Sequence, residues 1–161
     1  RGVPPASQQQ SAKSVPVIEK HDVRPELLIA VLLKKPESIL SISLLVSGAM
    51  IQSSELREIY DTLCALTKGL QETPDMMSEM VEKNCTGDLP DTLRLLADKE
   101  WGDVHESELD RIAKTLATAI RDTHLRSEIT RLQGRMRDAE ERKDNAAMEE
   151  YGKQFRDLQN M

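Results

Sequence analysis

The chain has 161 residues and a formal charge of −6, a length for one domain or one domain with an appendage. No run approaches the roughly 20 apolar residues of a membrane span, and no basic start with an apolar core behind it marks a secretory leader. A soluble protein is therefore expected.

Charge is uneven along the chain. Residues 1–21 hold three bases and one acid, residues 22–106 eight bases and sixteen acids, and residues 107–161 eleven of each. A body with eight excess acids repels phosphates, so it is not expected to bind nucleic acid. Cys64 and Cys85 lack CxxC spacing, and reduced thiols in the cytoplasm are the expected state. Only Tyr60, Trp101, Tyr151 and Phe155 are aromatic, which leaves the core to Leu, Ile, Val, Met and Ala.

Residues 1–21 hold three of the seven prolines, a Gln triplet and no apolar periodicity, and read as a flexible linker. A start on Arg1 rather than Met suggests a piece of a longer chain. Asp22 and Pro25 then open a helix striped by Leu27, Leu28, Val31 and Leu32, which Lys34-Lys35-Pro36 ends. Residues 38–50 mix two patterns, and the spacing of Ile39, Ile42, Leu45 and Val46 favours a helix over a strand. Ser53 or Ser54 caps the next helix, with Leu56, Ile59, Tyr60, Leu63, Thr67 and Leu70 on its apolar side. Thr73-Pro74-Asp75 opens a helix whose buried side is Met76, Met77, Met80 and Val81. Asp88, Pro90 and Asp91 open another, carrying Leu93, Leu96 and Ala97, with Trp101 after it.

Ser107, with Asp110 three residues on, starts a long helix. Leu109, Ile112, Ala113, Leu116 and Ile120 share one stripe; Leu125, Ile129, Leu132, Met136 and Ala139 form a second. The five-residue step from Ile120 to Leu125, at about 100° per residue, carries the stripe to nearly the opposite side. Such a helix packs its first half on the upstream body and its second half on the helix that follows. Asp122 to His124 belong to neither stripe, so a kink, a break or a variable hairpin orientation is expected there. In the return helix from Asp144, Met148, Tyr151, Phe155 and Leu158 face one way. The fold class is all-α: a helical bundle over 22–121 and a C-terminal helical hairpin over 122–161.

Nothing in the sequence reads as an active site. His21, His105 and His124 are too far apart for a local metal motif, and phosphate-loop, dinucleotide, nucleophile-elbow and zinc-protease signatures are missing. Glu140-Glu141 and Glu149-Glu150 are sequence neighbours that splay apart on a helix. Cys64 lies on an apolar side and reads as a small hydrophobe. No catalytic, cofactor or metal role is expected. Met76, Met77 and Met80 read as core rather than as a binding patch. A two-helix hairpin, however, is too thin to bury both Tyr151 and Phe155, and an open aromatic edge suits a partner.

The opening RPELLIAVLLKKPES (24–38) and the closing LRSEITRLQGRMRDAEERKDNAAMEEYGKQFRDLQ (125–159) resemble the C-terminal helicase-binding domain of bacterial replicative primase, the DnaG type. The likeness spans about 22–161 and includes the turn at Arg142-Lys143-Asp144. It implies a non-catalytic module that docks on the N-terminal collar of the hexameric replicative helicase and brings primer synthesis to the fork. It also implies that the module modulates the helicase. On that reading partner contact falls on Arg142, Lys143, Met148, Tyr151, Gln154, Phe155 and Leu158. The zinc-binding cysteines and acidic metal-binding motifs of a primase core are absent, so this segment is not expected to synthesise primers. The alternatives are the helicase's own N-terminal domain, which has a related bundle and hairpin, and an unrelated helical adaptor.

Overall fold

A computed structural model describes residues 22–67, 74–85 and 87–159. Among them are seven α-helices and two short 3-10 turns, with no strand. The expected Leu70 and Thr73 positions lie outside the described residues, as does the whole of 1–21.

Helix α1 (Arg24–Lys34) is the axis of the body. Leu28 through Leu33 are all buried, and α1 packs against α3, α4, α5 and α6. A helix apolar on every side is stable only when surrounded, and the run LLIAVLL meets that condition. Pro25 stands in the first turn, where a missing N–H costs nothing, and Asp22 Oδ1 accepts the Arg24 N–H at 3.1 Å. Pro36 begins a 3-10 turn that ends the helix.

The stretch 38–50 is helical only in pieces. Helix α2 (Ile39–Ile42) is one turn long, and a 3-10 turn follows at Gly48–Met50. Ile39, Ile42 and Val46 are buried as expected, whereas Leu45 is half-buried and Leu40 and Leu44 lie in solvent. The serines explain the interruption: the Ser41 and Ser43 hydroxyls donate to the carbonyls of Ser38 and Leu40, and so compete with the helical ladder. Tyr60, the largest fully buried side chain, then fixes the segment by donating from its hydroxyl to Val46 O at 2.7 Å. Burial pushes the Tyr60 phenol pKa upward, so it stays a donor.

Helix α3 (Ser54–Thr67) is capped by Ser53, whose Oγ accepts the Leu56 N–H at 3.3 Å. It buries Leu56, Ile59, Tyr60 and Leu63, while Cys64 packs half-buried beside them. Helix α4 (Pro74–Asn84) buries Met77 and Val81, but Met80 is half-buried and Met76 is 51% exposed, against the sequence expectation. The wheel accounts for Met76: it neighbours Met77 in sequence, so its side chain points about 100° away. Helix α5 (Leu89–Trp101) buries Leu93 and Ala97 and includes Trp101 rather than preceding it. Asp88 receives the Thr92 N–H on its carbonyl and makes no side-chain cap.

Helix α6 (Glu106–Glu141) runs 36 residues, about 54 Å at 1.5 Å per residue. Its cap is His105, not Ser107: His105 Nδ1 accepts the Ser107 N–H at 3.3 Å. Asp110 is occupied elsewhere, bridging Lys35 and the buried Ser38. The helix continues without a break through 122–124, so the break expected there does not occur. The two stripes do part company. Leu109, Ala113, Ala117 and Ile120 join the body's core cluster, with Ile112 and Leu116 at its margin. Beyond Ile120, the residues Leu132 and Ala139 are closed off by helix α7 (Asn145–Gln159) instead.

Candidate functional site

The hairpin of α6 and α7 turns within three residues. Lys143 N donates to Glu140 O at 3.0 Å and Asp144 N to Ala139 O at 2.9 Å, the paired bonds of a Schellman ending. That ending needs a left-handed residue, and Lys143 takes it at φ 56°. Asp144 then begins the next helix, with its Oδ1 accepting the Ala147 N–H at 3.1 Å. Arg142 folds its Nε back onto Asp138 O at 3.1 Å. The basic pair Arg142 and Lys143 is exposed at the tip.

Along α7, Ala147, Met148, Tyr151, Gly152, Gln154, Phe155 and Leu158 are half-buried, at helical spacing, and no α7 residue is fully buried. Opposite them on α6, Leu132 and Ala139 are closed off, while Leu125, Ile129 and Met136 are half-buried. The layer is therefore one helix thick on each side of its seam, and both aromatics keep an accessible edge. Each large side chain that stays half wet retains apolar surface worth roughly 25 cal/mol per Å2 to a partner that covers it. The outer face of α7 is charged and solvated, and at its edge the half-buried Gln154 donates from Nε2 to Glu150 at 3.1 Å.

The seven residues singled out from sequence thus fall into two groups. Met148, Tyr151, Phe155 and Leu158, with Gln154 at their margin, form a stripe against α6; Arg142 and Lys143 sit at the tip beyond its start. The full stripe runs about 15 Å from Met148 to Leu158. Ala147 and Gly152, half-buried on the same side, escape a search for large apolar residues.

A second concavity was not legible in the sequence. A groove of about 330 Å3 opens where α6 leaves the body, with Pro25, Leu56 and Ile120 as its buried lining and Thr123, His124 and Ser127 on the α6 side. Three separate segments build it (22–25, 50–56 and 120–127), and no local motif reports such a meeting. Among the described residues no three His, Cys, Asp or Glu side chains converge as a metal site would require. No described helix is long and apolar enough to cross a membrane. Comparison of the chain with protein-family models, with curated proteins and with solved structures returns no match.

Proposed function

We propose that this chain is a non-catalytic docking module of the bacterial replicative primase type, which binds the collar of a hexameric replicative helicase in the cytoplasm and so recruits primer synthesis to the fork. One observation carries the reading. The α7 helix holds two of the chain's four aromatic residues, Tyr151 and Phe155, in a stripe that α6, its main neighbour among the described residues, half covers. Aromatic anchors with an open edge are the residues that most often dominate protein interfaces. The acidic body keeps nucleic acid away, and the hairpin, with its balanced charges, is left as the contacting part.

The test is calorimetric titration against the replicative helicase of the same organism, with the full chain and with a chain truncated after Arg121. The full chain should bind and the truncated one should not. Equal binding by both would show that the hairpin is not the contact, and no binding by the full chain would remove the helicase from the reading. Tyr151→Ala or Phe155→Ala should weaken association by about 1–3 kcal/mol. Circular dichroism of each variant separates lost contact from a loosened hairpin.

A further inference from the structure

At the point where α6 leaves the body, the body's first helix reaches its backbone. Arg24 Nη1 donates to the carbonyl of Ala119 at 3.2 Å. The same guanidinium is held from the other side by Asp22, with Nε on Oδ1 at 2.7 Å and Nη2 on Oδ2 at 2.8 Å. A planar fork bound on two edges has little freedom to swing, so the third bond to Ala119 is aimed rather than incidental. The Asp22 carboxylate is itself fixed by the Arg24 N–H at 3.1 Å.

The place of this contact along α6 is specific. Ile120, the next residue, is the last that α6 gives to the core cluster, and Leu125 opens the stripe that faces α7. Just past the contact, the groove between Pro25, Leu56 and Thr123, His124, Ser127 separates helix from body. Ala119 O is also taken by the Thr123 hydroxyl at 2.9 Å, in addition to the N–H its helical position supplies. A carbonyl drawn outward by side-chain donors lengthens the ladder on that side and leaves the helix convex there. The unbroken α6 can therefore change direction here without losing a turn.

We propose that Asp22 and Arg24 form a positioning clamp that fixes the direction in which α6 carries the hairpin away from the body. Hydrophobic packing holds α6 on the body up to Ile120, and the clamp sets its exit angle.

Residual dipolar couplings on the full chain test it, with the amides of α1, α3 and α5 and those of α7 fitted separately. In the wild-type chain the two sets should share alignment axes and magnitude. In Arg24→Ala the body couplings should still fit together, while the α7 alignment loses magnitude relative to the body's. Arg24→Lys serves where the alanine variant does not fold, because it keeps a charge beside Asp22 but has no fork to hold Asp22 and Ala119 at once. It should show the same loss. Wild-type ratios and axes in the folded variants would overturn the clamp, and so would a wild-type hairpin already misaligned with its body.

Discussion

Asp144 and Lys143 are adjacent and should respond to substitution with opposite signs. Asp144 caps α7 through its carboxylate, so Asp144→Ala should cost about 0.5–2 kcal/mol of hairpin stability, and Asp144→Asn much less. Lys143 holds a left-handed conformation that disfavours any Cβ, so Lys143→Gly should stabilise the hairpin by up to about 1 kcal/mol. Amide exchange across α7 reads both; equal signs would refute the turn as described. At the other end of the body, Lys35 Nζ reaches Asp110 at 2.8 Å and the carbonyl of Glu106 at 3.1 Å. The Lys35 ammonium, and then the Ser38 hydroxyl, hold the Asp110 carboxyl below its ordinary range. A carboxyl pKa lowered by folding gives stability that is complete above the unfolded value near 3.9 and is lost as pH falls through the folded value. The Lys35 pKa is raised by the same bond, so its share is complete below the unfolded value near 10.4 and is lost as pH rises through the folded one. The denaturation midpoint of the wild-type chain should therefore drop more steeply than that of Asp110→Asn as pH falls below about 4. Parallel profiles would deny the bridge a role in acid stability.

Helices α6 and α7 each carry a glycine in their interior, and the structure gives neither a packing reason. A Cβ built at Gly134 or Gly152 meets nothing within 4 Å. Gly134→Ala and Gly152→Ala should each stabilise by about 0.5–1 kcal/mol, since alanine restricts the unfolded chain and favours the helix. Thermal unfolding followed at 222 nm would show it, and a loss at Gly152 would mean that the added methyl does not fit within the hairpin. Elements of this kind were legible because their periodicity is long and their ends carry signals. The bounds of α1 at Pro25 and Pro36 and the five-residue step between the α6 stripes were visible in the sequence, and the turn at Arg142-Lys143-Asp144 came with the family resemblance; the stripe read on α1 left out Ile29, Ala30 and Leu33, which are buried too. What escaped was decided partly by atoms distant in sequence and partly by local side-chain bonds that spacing does not report. Asp110 looked like part of a cap because of its offset from Ser107, yet Lys35 and Ser38 claim it, and His105 caps in its place. The stretch 38–50 kept its buried positions and lost its continuity to serine hydroxyls. The groove beside Ile120 has no sequence signature because Pro25, Leu56 and His124 meet there only after folding.

At the scale of the whole molecule, two packing units share one helix, and their independence can be measured by cutting that helix. The acidic body should give no salt-sensitive binding of single-stranded DNA in fluorescence anisotropy, because eight excess acids release no counterions from a phosphate chain. Truncation probes the architecture more directly. The core cluster takes its last α6 residue at Ile120, so a chain ending after Arg121 keeps every member of that cluster. It should unfold cooperatively, near the midpoint of the full chain, and remain monomeric. A chain ending at Lys143 keeps the same core but leaves Leu125, Ile129, Leu132 and Met136 without α7 to cover them. An apolar stripe of about three turns with no covering helix drives association, so this longer fragment should be the less soluble and should self-associate in sedimentation. Longer chain and poorer behaviour is the inverted order that a shared helix with two faces demands. If the fragment ending after Arg121 fails to fold while the one ending at Lys143 stays monomeric, α6 is a single structural unit and the division at its face switch is wrong.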